Sequence, residues 1–580
     1  MCGIAGTTKK STTTEIARAH ESMRLRGPDG PGSSVDDNVT LLHARLSIID
    51  LHARSNQPMH DIEGEVSLVF NGEIFNYQEL RNQFSGAYQF KTTSDTEVVL
   101  AGYKIHGNKI WGMLSGMFAA AVYDRVQNKV VLSRDHAGIK PLFYTVQNGV
   151  LSWASELKTL FQFDTTRAAT DSICPERLAD YFVLGYVPSP QTIYSDVFSV
   201  EKCTYLEYSL ATKTYIVSPY TPITYSSGDS LAEILTLSVT EHLVADVPVS
   251  LFFSGGMDSS LIASILHAIG HETQAFTLLM PGRTEDHEFS KKIATYLGMK
   301  NEYAVFDQSA FDVSYDAAMA YSDVPLGDLA IFPTHFVSAL ASKSYRVVLS
   351  GEGGDELFYG YPRHLVLQKN RTSALRKMLE WYLACPRHVG KGKVFSEGAE
   401  MLDAASYYIA TCSPSLTTLG VTEFHRIRDV IATTTDARDS DRDWYVENML
   451  LRKLDTMTMA NSIEGRVPLL SPRLFEYASQ MPKEVLQGTS DLKKALKIEL
   501  TKYLPLELIE RKKTGFGFRP DTFVANNAQV RADFHDAYLF LKTFQIPLTQ
   551  YDEDWLYMEK PGLVLACTIL YRSITNHKKL

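Results

Sequence analysis

The run Ser-Gly-Gly-Met-Asp-Ser-Ser at 254–260 combines residue types that suit phosphate binding. Gly255 and Gly256 remove side-chain bulk where a backbone must turn tightly and approach a ligand. The Gly-Lys-Ser/Thr ending of a Walker loop is absent, and Asp258 instead offers a hard oxygen ligand to Mg²⁺. A tight turn without any ligand is the alternative, but the run matches a signature rather than a composition. It therefore predicts a polyphosphate site.

A second glycine-rich turn, Ser-Gly-Glu-Gly-Gly-Asp-Glu at 350–356, carries carboxylates. Asp355 would join Asp258 in holding Mg²⁺, and Glu352 suits a general base or an orienting group. An acidic turn that only starts a helix is the alternative interpretation. The two turns together predict a polyphosphate site that holds Mg²⁺.

Cys2 follows the initiator methionine and precedes a small residue, so removal of the methionine would make its thiol part of the first residue. A free α-amino group has a pKa near ~7.7–8 and can act as the base that activates that thiol. The alternative is an inert terminal cysteine. The segments that follow Cys2 favour the nucleophile.

The elements that position these residues follow from the local patterns. Apolar runs at 249–253, 274–279 and 345–350 predict buried parallel strands, and 289–298 predicts a helix. Asp258 and Ser259 open a further helix, whose N-terminus points free N–H groups and a positive dipole end at the glycine loop. Further predictions are strands at 44–50, 66–70, 116–124 and 132–135, a helix opened by a capping box at 94–97, and a helix near 153–158.

Composition narrows the class of protein. The 580 residues are too many for one core, and a net charge of −10 argues against general nucleic-acid binding. The six cysteines are scattered without a Cys-x-x-Cys pair, which argues against a disulfide framework or a zinc site. No apolar run reaches the length of a membrane span and no signal peptide is evident, so we expect a cytoplasmic protein with no membrane partner. Whether it forms a homodimer stays open.

Several motifs resemble known families. In this order, Arg-Gly-Pro-Asp at 26–29 and the segments at 44–50, 71–76 and 94–97 resemble the class II glutamine amidotransferases. The loop at 254–260 resembles that of the ATP pyrophosphatases. Both halves together are similar to the glutamine-hydrolysing asparagine synthetases. The resemblance implies an α+β N-terminal-nucleophile (αββα) domain at 2–212, then an α/β doubly wound ATP-pyrophosphatase domain with a helical C-terminal region at 228–580.

The resemblance also implies roles at a glutamine site. Cys2 would attack the glutamine amide, with the Asn71 side chain and the Gly72 N–H stabilising the oxyanion. Arg45 would bind the glutamine carboxylate and Asp95 its ammonium group. The full implied set of glutamine-binding residues is Arg45, Leu46, Ile48, Ile49, Asn71, Gly72, Glu73 and Asp95.

A second implied site uses ATP as co-substrate with Mg²⁺ on Asp258 and Asp355. Glu352 would lie near the acyl centre. Lys493 and Lys497, four residues apart on a predicted helix, would share one face, and Lys493 matches the family's catalytic lysine. The implied ATP or diphosphate contacts are Phe252, Ser254, Gly255, Gly256, Asp258, Ser259, Leu278, Ser350, Gly351 and Lys493.

The acid that accepts the ammonia is less well defined. The segment 322–334, which should face it, lacks the arginine that well-known asparagine synthetases place there for aspartate. Ser471 replaces the family's usual Asp, and Tyr359 stands where a small residue is common. The leading hypothesis is asparagine formation from aspartate, glutamine and ATP, with release of AMP and diphosphate. The alternatives are the same chemistry on another carboxylic acid, such as a sugar carboxylate, and a non-catalytic relative.

Overall fold

Strands from the first 219 residues build two antiparallel six-stranded sheets, ordered β10-β8-β9-β1-β3-β2 and β12-β11-β7-β6-β5-β4. The computed structural model describes residues 2–164, 170, 172–223, 228–282, 284–361, 363–364, 437–487, 492–510 and 518–576. The strands are β1 Gly3–Thr7, β2 Gly30–Val35, β3 Thr40–Arg45, β4 Met59–His60, β5 Val66–Ile74, β6 Gly116–Asp124, β7 Lys129–Arg134, β8 Phe143–Gln147, β9 Val150–Ala154, β10 Phe198–Ser199, β11 Thr204–Ser209 and β12 Thr214–Pro219.

The two sheets pack face to face between layers of helices, which gives the αββα arrangement. Strand β6 shows how the sequence produces this arrangement, because successive side chains of the strand point into two different cores. Ala119 and Ala121 face the core between the sheets, whereas Phe118 and Val122 face the helical layer. The helices are α1 Thr13–Ser22, α2 Tyr77–Phe84, α3 Asp95–His106, α4 Leu157–Leu160 and α5 Pro175–Leu184. The predicted N-terminal-nucleophile fold is confirmed.

The second half contains a five-stranded sheet in which every neighbouring pair is parallel, ordered β15-β14-β13-β16-β17. Its strands are β13 Val249–Phe252, β14 Gln274–Leu279, β15 Lys300–Val305, β16 Val347–Leu349 and β17 Glu464–Arg466. The chain moves outward in one direction from β13 to β15 and in the other from β16 to β17. Ligands bind at such a switch point, and the loops after β13 and β16 both lie there.

Helices cover this sheet and form the C-terminal region. They are α6 Leu231–Glu241, α7 Met257–Ala268, α8 Thr284–Tyr296, α9 Gln308–Tyr321, α10 Ile331–Ala341, α11 Gly354–Leu357, α12 Ala437–Ser440, α13 Arg452–Met459, α14 Pro472–Gln480, α15 Lys483–Leu486, α16 Lys494–Leu500, α17 Pro520–Val524, α18 Ala528–Thr543, α19 Glu553–Glu559 and α20 Pro561–Thr575. A π-helical segment, Asp441–Leu451, runs directly into α13. The doubly wound sheet and the helical C-terminal region agree with the sequence prediction.

Short 3₁₀ helices connect several of these elements, at Ala53–Ser55, Gly107–Met113, Phe161–Phe163, Pro468–Leu470, Leu506–Leu508 and Pro547–Gln550. The predicted end of the first domain at residue 212 falls between β11 and β12, which pair with each other in one sheet. Among the described residues, no helix is both long and apolar enough to cross a membrane. Cys385, Cys412 and residues 224–227, which lie between the two predicted domains, are outside the described residues.

Some local predictions were wrong. Residues 44–50 are not a strand, because β3 ends at Arg45 and the chain then leaves the sheet. Asn71 and Gly72 do not follow their strand but lie within β5, where Gly72 pairs with Phe118. Ser94 does cap α3, but the Glu97 carboxylate accepts from the N–H groups of Lys91 and Thr92 instead of completing a capping box.

Candidate functional site

Cys2 lies at the start of β1, half-buried against the neighbouring β5. Its backbone N–H donates to Asn71 Oδ1 at 3.2 Å, and its thiol lies 3.8 Å from the carbonyl oxygen of Leu46. Burial raises the pKa of the Cys2 thiol above its usual value. The thiol therefore needs a nearby base to become a nucleophile at neutral pH.

Asn71 is fully buried, and its side-chain amide oxygen accepts a hydrogen bond from Cys2. Its Nδ2, in contrast, is buried without a hydrogen-bond partner among the residues that the structure describes. A buried amide donor without a partner costs free energy unless a ligand meets it. Next to it, a Cβ on Gly72 would lie 2.2 Å from the Met117 carbonyl oxygen, so only glycine fits. Asn71 therefore presents a spare donor close to the Cys2 thiol.

Arg45 is buried and donates to its own loop. Its guanidinium contacts the carbonyl oxygens of His52 and Asp50, at 2.9 and 2.5 Å, and Asn56 Oδ1 at 2.6 Å. It thus holds the chain after β3 in place, and its predicted contact with a glutamine carboxylate stays a prediction. Three apolar members of the predicted glutamine set are buried in a core shared with the second half of the chain: Leu46, Ile48 and Ile49.

Two buried carboxylates lie on and beside β5. Asp95 accepts hydrogen bonds from the N–H groups of Ile74 and Thr96, at 3.0 and 2.8 Å, and its burial raises its pKa to about 6. Burial also raises the pKa of Glu73 well above its usual value, and Glu464 and Asp95 add to the effect. Within the described part of the chain, Glu73 Oε2 accepts no hydrogen bond, although it lies 3.9 Å from Arg466 Nη2. These groups give the first site an acidic side that suits a cationic ligand group.

Arg26 connects the first site to the second half of the chain. Its Nε donates to the Cys2 carbonyl at 3.2 Å, and its Nη1 lies 2.8 Å from Asp455 Oδ2 on α13. In the sequence, Arg26 belongs to a motif that resembles the glutamine amidotransferases, and that resemblance predicted no partner for it. The signal for the contact was weak, because 429 positions separate the two residues.

The glycine loop after β13 turns as predicted into α7. Gly255 has a positive φ of 68°, a conformation that glycine adopts without strain, and Gly256 is the N-cap of the helix. The loop after β16 lies against it, because a Cβ on Gly351 would be 3.0 Å from the Ser259 backbone nitrogen. Phe252, Leu278 and Ser350 lie at the carboxyl ends of adjoining strands. The structure therefore brings the predicted nucleotide contacts to one edge of the sheet.

Asp258 and Asp355 converge on one cation. Lys493 Nζ lies 2.5 Å from Asp258 Oδ2 and 2.8 Å from Asp355 Oδ1. Burial alone would lower the pKa of Lys493, but the two carboxylates raise it above its usual value. Two carboxylates that share one positive charge also have the donor chemistry that Mg²⁺ requires. Both predicted metal ligands therefore fit such a site.

Lys493 reaches this position in an unexpected way. It has a positive φ of 54° and precedes α16 as its N-cap, so it does not share a helix face with Lys497. Lys497 instead contacts Glu510 at 3.1 Å near the surface. The prediction of a shared face was wrong, because the helix begins one residue after Lys493.

Glu352 contacts a lysine that the sequence analysis missed. Lys453 Nζ lies 3.1 Å from Glu352 Oε1 and 3.1 Å from Asp328 Oδ2. Asp328 belongs to the segment 322–334 that was expected to face the acid. Lys453 was not among the predicted site residues, because nothing in the local sequence at the start of α13 marks it as different from an exposed helical lysine.

Comparisons with known proteins match each half of the chain to a family model. A family model described as a glutamine amidotransferase domain matches residues 1–221, and one described as asparagine synthase matches residues 230–535. Asparagine synthetase [glutamine-hydrolyzing] 1 of Bacillus subtilis is 31% identical over 89% of this chain and 87% of its own. The chain belongs to the glutamine-hydrolysing asparagine synthetase family. Its chemistry is therefore glutamine-dependent amidation with an ATP-using synthetase domain.

Other proteins similar to this chain have different names. Amidase chyE of Penicillium rubens is 27% identical over 81% of this chain and 78% of its own. Amidase chry2 of Gibberella zeae is 30% identical over 61% of this chain and 56% of its own. Similarity to the family therefore leaves the acid substrate undefined.

Proposed function

We propose that this protein makes L-asparagine from L-aspartate, L-glutamine and ATP, through an acyl adenylate and ammonia released within the same chain. The observation that carries the proposal is that one helix, α13, reaches both sites. Its Asp455 pairs with Arg26, which holds the Cys2 carbonyl, and its Lys453 contacts Glu352. A helix shared by two sites suits a reaction in which the product of one is consumed at the other.

In the first half of the reaction, the Cys2 thiolate attacks the glutamine amide carbon, ammonia leaves, and water then hydrolyses the resulting thioester to glutamate and the free thiol. Removal of the preceding methionine would give Cys2 the free α-amino group that takes the thiol proton and passes it to the leaving ammonia. The spare Nδ2 of Asn71 would donate to the oxygen of the tetrahedral intermediate. Asp95 would accept a hydrogen bond from the glutamine ammonium group.

In the second half, the acid's carboxylate attacks the α-phosphorus of ATP and diphosphate leaves. Asp258 and Asp355 would hold Mg²⁺, which supplies positive charge against the leaving diphosphate when bound. Lys493 would then turn its ammonium group from the two carboxylates toward the phosphates. Glu352 would orient ammonia, or take its proton, as ammonia attacks the acyl carbon of the adenylate, the amide bond forms and AMP leaves.

A second candidate is the same chemistry on another carboxylic acid. Two observations favour keeping it: the segment 322–334 has no arginine for a second substrate carboxylate, and relatives named amidases align over much of the chain. In this segment Asp328 is paired with Lys453, which leaves that lysine less able to bind a substrate carboxylate.

A panel of acids with ATP, Mg²⁺ and ammonium chloride would separate the two candidates. If the proposal is right, aspartate gives the highest kcat/KM for AMP formation and asparagine accumulates in equal amount. A higher kcat/KM with another acid would favour the second candidate. The Cys2→Ala variant is the matched control, because ammonium replaces glutamine and should sustain its full activity.

A further inference from the structure

Lys453 lies between two carboxylates of the synthetase half. Its Nζ is 3.1 Å from Glu352 Oε1 and 3.1 Å from Asp328 Oδ2, and its side chain is only 7% exposed. The two carboxylates come from different elements, since Glu352 follows β16 and Asp328 precedes α10. Separating a buried lysine from such partners costs free energy, because it would leave buried charges unpaired. Lys453 therefore joins two loops through fixed contacts.

The start of α13 directs this lysine toward the synthetase site. Successive residues of an α-helix are about 100° apart around its axis, so residues two positions apart point to nearly opposite sides. Asp455 contacts Arg26 in the first half of the chain, whereas Lys453 contacts Glu352. The helix therefore fixes the direction from which Lys453 approaches Glu352.

The turn that carries Glu352 cannot fix this side chain by itself. Gly351 and Gly353 flank it, and Gly353 has a positive φ of 98°. Glycine allows a backbone many conformations, so a side chain between two glycines needs a contact from another element to keep one orientation. Lys453 provides that contact on Oε1 of Glu352. Oε2 is then the oxygen that can face a reacting group.

Asp328 in turn holds Lys453. Its Oδ1 accepts a hydrogen bond from the Ala330 N–H at 2.9 Å, which fixes the carboxylate within the segment 322–334. Burial by itself would lower the pKa of Lys453, but Asp328 and Glu352 raise it above its usual value, so the lysine is charged at neutral pH. A continuous chain of contacts therefore runs from the segment 322–334 to Glu352.

We propose that Lys453 is a positioning residue for amide formation: held by Asp328, it orients the Glu352 carboxylate so that Oε2 faces the reacting ammonia. The inference rests on the function proposed above for Glu352. Lys453 itself touches no substrate in this scheme. The alternative is that Lys453 only neutralises two acids, in which case its loss would impair the protein without acting through Glu352.

A double-mutant cycle with ammonium chloride as the nitrogen source tests the positioning role. Lys453→Met should lower kcat for amide formation by roughly 100-fold, the cost of misplacing a reacting group by about 1 Å, and should leave the KM for ATP unchanged. In a Glu352→Gln background the same substitution should have little further effect, because residues that act as one unit are not additive. A further loss of the same size in that background would overturn the proposal.

Glutamine hydrolysis without ATP is the control for folding, because Asp455 on the same helix supports the first site. Lys453→Met should keep this activity, and loss of both activities by a folded variant would show a structural role instead. Lys10→Met, a matched change at an exposed ion pair with Asp37, should behave as wild type in both assays.

Asp328→Asn tests the same chain of contacts if Lys453→Met does not fold. It keeps the pair between Lys453 and Glu352 but removes one charge that holds the lysine, so kcat should fall less than in Lys453→Met. The loss should again disappear in the Glu352→Gln background, and an equal loss there would overturn the positioning role alone. Full activity of Glu352→Gln by itself would overturn the function proposed for Glu352, and this inference with it.

Discussion

Arg26 and Asp455 form a buried ion pair across the two halves of the chain, with Nη1 and Oδ2 2.8 Å apart. Burial by itself would raise the pKa of Asp455, but Arg26 holds it below its usual range. Because Arg26 also donates to the Cys2 carbonyl, the pair fixes the position of Cys2 relative to α13. The geometry of the first site therefore depends on a residue of the second half.

Asp455→Asn should destabilise the protein, because Arg26 would lose its bidentate partner while remaining buried. Breaking such a pair costs about 3 kcal/mol or more. Urea unfolding followed by fluorescence would measure the change. Asp37→Asn, which breaks an exposed pair with Lys10, serves as the control and should have no measurable effect. Similar stability of both variants would contradict a structural role for the buried pair.

Asn71→Asp should slow glutamine hydrolysis without abolishing folding. The variant keeps the oxygen that accepts from Cys2 but loses the spare amide donor. Removal of one oxyanion donor lowers kcat by roughly 100- to 1,000-fold with a smaller effect on KM. Steady-state glutamate release measures both, and ammonium-dependent synthesis is the control for folding. An unchanged kcat would exclude Asn71 as an oxyanion donor.

Asp95 should make glutamine binding depend on pH. Its native pKa of about 6 exceeds the ~3.9 of an unfolded aspartate, so the native state binds the proton more tightly. Below pH ~4 Asp95 therefore contributes roughly 3 kcal/mol to the free energy of unfolding. This contribution is lost as the pH rises through ~6. Glutamine binding should have the opposite pH dependence from stability. The KM for glutamine should rise as the pH falls below ~6, because only the ionised carboxylate of Asp95 binds the ammonium group.

Asp95→Asn supplies the comparison for this pH dependence. Its glutamine KM should be high and flat across pH 5–7. The stability difference between wild type and variant should change with pH between ~4 and ~6. Parallel stability curves for the two proteins would show that Asp95 does not titrate in this range.

Much of the second domain could be predicted from the sequence, because its signals are local. Residues 274–279 form a strand with the predicted bounds, and the loop at 254–260 turns into a helix as expected. The contacts of Arg26 and Lys453 could not be predicted in this way. Each depends on residues far apart in the chain, and the local pattern around a buried lysine or arginine does not differ from that of an exposed one.

Lys493 shows the same limit. The resemblance to the family selected the residue, but the local pattern gave no sign of its positive φ, its place before α16, or its contacts with carboxylates of α7 and α11. Likewise, the resemblance selected Asn71, but its place within β5 follows from pairing with β6, which begins at Gly116.

Lys493→Met should block adenylate formation while leaving glutamine hydrolysis intact. The variant loses the cation that lies between Asp258 and Asp355, and we expect AMP production to fall by at least roughly 100-fold. Lys497→Met, which loses only a contact with Glu510, is the matched control and should retain full activity. Comparable AMP production by the two variants would argue against a role for Lys493 at the phosphates.

The most direct test of the whole account follows nitrogen from one site to the other. The wild-type chain would receive ATP, Mg²⁺, the preferred acid and glutamine labelled with ¹⁵N in its amide, together with excess unlabelled ammonium. The account predicts a product amide far richer in ¹⁵N than the bulk ammonium pool, with one AMP formed per amide. A product that carries the isotope ratio of the bulk ammonium, or formation of ADP instead of AMP, would contradict it.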